Sequence, residues 1–355
     1  MKRQARRFAA SILALAATAA LSSCAGSGTG ADGGKGSLTI VTFGGTTGEG
    51  FKKAVAEPFT KATGIGTQVT DPVDYGKYTA QYKSGKVDWD YADFEGFYIA
   101  QHLGWWAPTD TGIVKYKTTD TIDLPGDQPG TDDLLPGGSY AFTIAYHTDN
   151  DKPHPKTWAD FFDTKKFPGK RAMYNWPYGM LEAALLADGV PFDHLYPLDI
   201  PRALKKLDTI KDDIVFWNSG AELQQMMSTG EADYAFAWNN RIADLQRKGA
   251  PVANEWGQNI QDGTYLVTAK NNPQAKDTMK LFDFMLQPKN QASLAERTGY
   301  SPGTKPGFAL IPDKDKQYYN VDPKNLQQAA GSINLKWWAE NFDSTVEKWN
   351  AWAGQ

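Results

Sequence analysis

A single cysteine, Cys24, stands in 355 residues. With no second thiol the folded part must be held together by core burial, which a chain of this length can supply. Histidine is nearly as scarce: His102, His147, His154 and His194 are scattered, and no two have the spacing of metal ligands. The nucleophile elbow Gly-x-Ser-x-Gly is missing. Long hydrophobic runs are missing as well, since the apolar stretch Phe8–Ala20 is too short for a comfortable membrane span. No catalytic residue, metal or cofactor is therefore expected, and the chain reads as a non-enzyme. A carboxylate pair of the glycosidase type stays open only because 41 Asp and Glu offer many pairs and nothing singles one out.

A phosphate loop is the next thing the sequence lacks. "LTIVTFGGTTGEGF", Leu38 to Phe51, has the outline of one: an apolar run, then Gly44, Gly45, Gly48 and Gly50 before a helical pattern. The Walker pattern needs Lys and then Ser or Thr after its last glycine, but Phe51 and Lys52 follow Gly50. The dinucleotide spacing is absent, and the Glu49 carboxylate opposes phosphate. Two readings remain: a tight turn whose glycines permit φ > 0, or a turn that lets backbone approach a ligand at a strand C-end, where open α/β sheets bind.

The N-terminus is an address. Lys2, Arg3, Arg6 and Arg7 precede the apolar stretch, as in a secretory signal. "LSSC" then resembles a lipobox, whose cysteine becomes a lipidated N-terminus; the alternative is a stray cysteine beside an ordinary cleavage site. Removal of residues 1–23 takes four positive charges and no acid, so the formal charge moves from -4 to -8. An acidic exported protein is a poor partner for nucleic acid. Ala25–Gly36 reads as a flexible tether.

From Leu38 the pattern alternates. "SLTIVTF" is a buried strand, Glu49–Thr63 a helix ended by Gly64, "GIGTQVTD" a strand, Tyr75–Ser84 a helix, and "DWDYADFEG" a strand running into a loop. A βαβαβ run predicts a mostly parallel sheet with crossover helices. Further on, "DIVFWNSG" and "DYAFAWNNRI" read as strand then loop, and "DGTYLVTAKN" as a strand. The Trp-rich C-terminus reads as a helix with Trp338, Phe342, Val346 and Trp349 near one face, either packed in the core or across a domain boundary, or offered to a partner.

Aromatic rings and carboxylates recur at the strand ends: Asp93, Phe94 and Glu95; Tyr174, Trp176 and Tyr178; Trp217, Asn218 and Ser219; Trp238 and Asn239; Tyr300. At 13% aromatics with 12 Trp, some rings are expected to line a cleft rather than the core. Rings that stack on an alkyl chain, with carboxylates that take ammonium protons, suit an amine. Arg241, directly after "WNN", is either an anion holder or a surface arginine.

With "EPFTKATGI", "TWADFFDTKKFPGKRAM", "ALLADGV", "GEADYAFAWNNRI" and "TGYSPG" in order from Leu38 to the C-terminus, the chain resembles the solute-binding lipoproteins of ABC transporters, and within them the spermidine/putrescine-binding group. The resemblance implies a two-lobed α/β fold of the type II periplasmic-binding-protein kind, each lobe a mostly parallel sheet flanked by helices. Two crossing strands, in "YAFTIAYHTD" and in Trp256–Leu266, form its hinge. It sets the signal at 1–23, lipidated Cys24 and linker at 24–36, lobe 1 at 37–143 plus 256–302, and lobe 2 at 144–255 plus 303–355. It implies a monomer, anchored by lipid alone to the outer face of the cell membrane or in a periplasm, which traps a small solute and hands it to a membrane permease fed by a cytoplasmic ATPase. A polyamine-like amine is the favoured solute; an amino acid derivative, an organic anion or a sugar is the alternative, and an exported enzyme a further one.

Carried over residue by residue, the resemblance places Phe43 with the turn through Gly45 and Thr46 against the ligand, and sets Asp93 and Glu95 in the third-strand loop. Trp238 and Asn239 match the group's Trp-Asn, and Tyr300 its "GY-P" tyrosine. Of a hinge Trp-x-Asp pair only Asp262 is kept, because Ile260 stands where the Trp would be. The second lobe's acidic pair is missing, and Trp176 and Tyr178 occupy that neighbourhood. Ser219, at another strand end, completes the candidate set.

Overall fold

The computed structural model describes residues 36–125, 134–149 and 153–354. The signal segment, Cys24 and nearly all of the glycine-rich tether lie outside the described residues. Among the described residues no helix is long and apolar enough to cross a membrane.

Two sheets carry the molecule. In the first, β1 (Ser37–Val41) lies between β2 (Gly66–Thr70) and β3 (Tyr91–Ala92), parallel to both. Leu38, Ile40 and Val41 are fully buried, the continuous apolar run of a parallel strand covered on both faces. The chain leaves β1 through Gly44 and Gly45, whose φ of 71° and 57° lie in the left-handed region that glycine adopts without strain. The helix that follows therefore begins at Gly45, one turn before the Glu49 start read from the pattern. It runs through Phe51, a π-helical turn at Lys52–Ala56 and Glu57–Thr63, and stops at Gly64.

The second sheet has the order β6-β5-β7-β4-β8-β9, with β4 at Leu135–His147, β5 at Arg171–Tyr174, β6 at Ile214–Trp217, β7 at Tyr234–Trp238, β8 at Val252–Leu266 and β9 at Ala329–Ser332. Strands β6, β5 and β7 are mutually parallel, as are β8 and β9, while β4 runs antiparallel to β7 and β8. The two expected hinge strands are β4 and β8. They pair from Leu135 with Leu266 to His147 with Val252, interrupted by two bulges. "DGTYLVTAKN" is the end of the long β8 rather than a strand of its own. At that end isolated bridges join Glu95 to Thr264 and Ser139 to Ser301, so the ladder's end meets the loop after β3.

One local reading is corrected. The residues after "AFAW" form a helix, Asn239–Arg247, not a loop. Paired asparagines are weak helix formers, but their side chains are used elsewhere: Asn239 Oδ1 accepts from Ala141 N at 2.7 Å, and Asn240 Nδ2 donates to Thr298 O at 3.2 Å. Tertiary bonds override propensity there.

The C-terminal helix Leu335–Ala353, capped by Asn334, is a core element. Trp338 and Trp349 are buried, and Phe342 stacks on Phe97 with centroids 4.2 Å apart. Much of the aromatic excess is thus core, with Trp158 and Trp217 fully buried too.

Candidate functional site

Three strand C-ends and one loop converge. Phe43 and Thr46 follow β1, Asp93 to Glu95 follow β3, Trp238 ends β7, and Tyr300 follows Gly299. Gly299 has φ 76°, and a Cβ there would meet Asn240 O at 2.9 Å, so only glycine lets this loop come so close. Between them lies a small cavity of about 10 Å³ lined by Phe43, Phe94, Glu95, Tyr140, Trp238, Asn240, Thr264 and Tyr300. Phe43 and Trp238 face each other across it at 6.0 Å. Tyr174 and Trp217 hold the Trp238 ring from behind, edge to face at 5.0 and 4.9 Å.

The acids adjoining this cavity are half used. Asp93 Oδ2 accepts from Tyr300 Oη at 3.0 Å, and Glu95 Oε2 accepts from Tyr75 Oη at 2.6 Å. Asp93 Oδ1 and Glu95 Oε1 are buried and within hydrogen-bond distance of no partner. Burial pushes the Asp93 carboxyl up to about 7, against the pull of the Tyr300 bond, the Arg241 charge and the Tyr91 hydroxyl. Burial pushes Glu95 up to about 8, and the negative charges of Asp262 and Asp93 add to the rise. The Tyr75 bond and the Tyr140 hydroxyl, itself donated to Asp262, pull Glu95 down.

Arg241 stands on the other side of the balance. It is 1% exposed, which removes the surface reading. Nη1 donates to Thr46 Oγ1 at 3.0 Å, and Nη1 and Nη2 both reach Gly44 O at 3.5 Å. A guanidinium has five N–H donors, so the fork formed by Nε and the second Nη2 hydrogen remains, and Nε has no partner. The charged group lies over the Trp238 ring, 6.0 Å from its centroid. Burial lowers its pKa, while Tyr300, Asp244 and Asp93 raise it. Trp238 Nε1 is a further buried donor without a partner, and Asn240 Oδ1 a further acceptor.

The expected site residues separate into two groups. The structure sets Phe43, Glu95, Trp238 and Tyr300 on the cavity wall, with Asp93 bonded to Tyr300, Thr46 bonded to Arg241, and Gly45 exposed in the turn beside Arg241. The others have different surroundings. Asp262 Oδ2 accepts from Tyr140 Oη at 2.7 Å and Tyr178 Oη at 2.9 Å, and its Oδ1 accepts from Gly263 N at 2.9 Å. Those bonds consume both Asp262 and Tyr178. Asn239 is taken up by Ala141 N and Tyr318 O. Ser219 caps the helix Gly220–Thr229 by accepting from Glu222 N. Trp176 packs 5.7 Å from Phe342, outside the cavity wall, though its Nε1 is buried without a partner.

Sequence reading missed Tyr140, Asn240 and Thr264. Asn240 was one residue away, in the same "WNN"; the first turn of the helix aims Asn239 at β4 and leaves Asn240 on the cavity. Tyr140 and Thr264 sit in β4 and β8, where only the register of the ladder selects which residues face the space, and no local signal marks them. Among the described residues no group of three or more His, Cys, Asp or Glu could hold a metal ion.

Residues 54–320 match the family model of the bacterial extracellular solute-binding protein. A gamma-aminobutyric acid-binding protein of Pseudomonas aeruginosa is 30% identical over 329 residues, covering 90% of this chain and 91% of that protein. A solved GABA receptor is 36% identical, covers 89% of this chain and 97% of its own, and superposes with a TM-score of 0.78. A spermidine/putrescine substrate-binding protein of Streptococcus pneumoniae has a TM-score of 0.70 over 89% of this chain and 99% of its own, but only 16% identity, which is a likeness of fold alone.

Proposed function

The chain belongs to the bacterial extracellular solute-binding proteins, the two-lobed substrate-binding components of ABC transporters, and from that premise we propose that its solute is a small ω-amino acid of the 4-aminobutyrate type. The observation that carries this is the division of unpartnered polar atoms on and directly behind one cavity wall: Glu95 and Trp238 line it, Asp93 is bonded to the lining Tyr300, and Arg241 lies over the lining Trp238. Asp93 Oδ1 and Glu95 Oε1 are acceptors that await a cation, and Arg241 Nε and Trp238 Nε1 are donors that await an anion. A molecule with an ammonium at one end and a carboxylate at the other satisfies both sets. Phe43 and Trp238 cover its methylenes.

A polyamine answers half of this. Two free carboxylate oxygens suit a diamine such as 1,4-diaminobutane, which keeps the amine reading in view. The buried guanidinium opposes it, because an unpaired buried charge beside a second positive charge costs several kcal/mol, roughly. A longer polyamine needs further carboxylates, and Asp262 is already fully bonded. A relative's gamma-aminobutyric acid binding supports the zwitterion.

The proposal includes the working cycle. The solute bridges the β1 and β3 loops on one side and the Trp238–Arg241 segment on the other, so its contacts favour the closed arrangement, and the closed protein meets the permease. The lobe boundaries at 143/144, 255/256 and 302/303, export by residues 1–23 and a lipid on Cys24 belong to the same proposal. Calorimetric titration of the mature protein tests the ligand. Binding of 4-aminobutyrate at micromolar levels, well ahead of 1,4-diaminobutane, spermidine, succinate and a disaccharide, is expected; binding of the amines with none of 4-aminobutyrate overturns it.

A further inference from the structure

Arg241 is held in place by the absence of a side chain at Gly220. Gly220 is the first residue of the helix Gly220–Thr229, it is buried, and it is not among the glycines with positive φ. Its backbone therefore does not ask for glycine. In a helix glycine is less favourable than alanine by roughly 1 kcal/mol, and Ser219 caps the helix without it by accepting from Glu222 N. The constraint comes from across the cleft wall. A Cβ on Gly220 would lie 2.4 Å from Arg241 Nε, 2.7 Å from Cζ and 3.0 Å from Cδ. Three consecutive atoms of the arginine cross the bare Cα.

We propose that Gly220 is a positioning and specificity-determining residue: it makes the room in which the Arg241 guanidinium lies between the helix, the Trp238 ring and the Gly44–Thr46 turn, and so decides whether the site accepts a carboxylate. The guanidinium has no flexible end at this spot that could step aside. It is fixed at the far side by Thr46 Oγ1 at 3.0 Å and by Gly44 O. A methyl group at position 220 moves Nε and Cζ together, breaks those bonds and turns away the free Nε–Nη2 fork. The two acids are on other elements and keep their places, with Asp93 on Tyr300 and Glu95 on Tyr75. The change is therefore selective for the anionic end of a ligand.

This rests on the zwitterion reading above, and its test separates the two. Gly220→Ala is compared with wild type for 4-aminobutyrate and 1,4-diaminobutane by calorimetry, and the Arg241 Nε–H resonance, assigned by its loss in Arg241→Lys, is followed by NMR in the ligand-free proteins. The expected result is at least a tenfold loss of 4-aminobutyrate affinity, an unchanged or improved diamine affinity, a shifted Nε–H resonance and an unchanged circular dichroism spectrum. Equal losses for both ligands mean a merely structural glycine and overturn the proposal. So does an unmoved Nε–H resonance with wild-type 4-aminobutyrate affinity. If wild type binds no carboxylate at all, the functional reading falls, while the resonance still decides whether Gly220 sets the arginine.

Discussion

Arg241 Nη1 lies 3.0 Å from Thr46 Oγ1, and this bond ties the helix after β7 to the turn after β1. The two residues are 195 positions apart and stand at the C-ends of strands in different sheets. The bond holds a buried cation over the Trp238 ring, which lines the cavity.

Removing that cation should reverse the site's preference. Arg241→Ala is expected to weaken 4-aminobutyrate by at least about 30-fold, the usual scale for deleting one partner of a buried charge contact. The same change should strengthen 1,4-diaminobutane. Titration of both ligands, with the melting temperature of each variant as a control for folding, measures it; an unchanged ratio of the two affinities contradicts the assigned role.

Glu95→Gln separates affinity from stability. The amide keeps shape but cannot carry charge, so ammonium binding should weaken roughly 10- to 100-fold. The ligand-free protein should melt at or above the wild-type temperature at neutral pH, since a carboxyl whose ionised form is disfavoured by burial is gone. Differential scanning calorimetry with and without ligand gives both quantities.

The pH dependence follows chiefly from four buried carboxyls, with Asp90 raised by burial in the same direction. Burial raises Asp93, Asp262 and Glu182 each to about 7, and Glu95 to about 8. Unfolded, they titrate near their ordinary values, about 4. Over the interval the native state holds more protons than the unfolded one, so stability falls as pH rises. Their contribution is fully present below about pH 4 and lost by about pH 8. Binding of an ammonium has the opposite sign, because it requires the ionised forms of Asp93 and Glu95. The expected thermal-shift result from pH 5 to pH 9 (roughly the window set by these groups) is a ligand-free melting temperature that declines and a ligand-induced shift that grows. A shift that shrinks with rising pH removes the two acids from ammonium binding.

Away from the cavity, Glu182 accepts from Tyr196 Oη at 2.7 Å and from Trp338 Nε1 at 2.6 Å, joining the C-terminal helix to the helix Met180–Ala187. Trp338 is fully buried against Tyr178. Trp338→Ala should cost about 3–5 kcal/mol by cavity formation, read from urea unfolding, and leave the cavity's charge pattern intact. Wild-type stability of this variant would show that the helix docks by its other residues.

The β1 turn, the loop after β3 and the C-end of β7 could be found from sequence because their strand signals are strong and parallel strands present their C-ends on one edge. Phe43, Glu95, Trp238 and Tyr300 line the same space for that reason. Asp262 and Tyr178 looked like equal candidates, yet they bond to each other. Asn239 and Asn240 are chemically identical, and only helix geometry parts them.

By itself the sequence determined the alternation of strand and helix, the glycine turn after β1 and the meeting of acids with rings at strand ends, because these depend on neighbours a few positions away. Tertiary structure alone decided that Arg241 is buried, that Gly220 makes room for it, and that Asp93 and Glu95 keep a free oxygen while Asp262 keeps none. Hydrogen-bond satisfaction is settled between residues as far apart as Asp93 and Tyr300, 207 positions, and no local pattern records which buried groups find partners there.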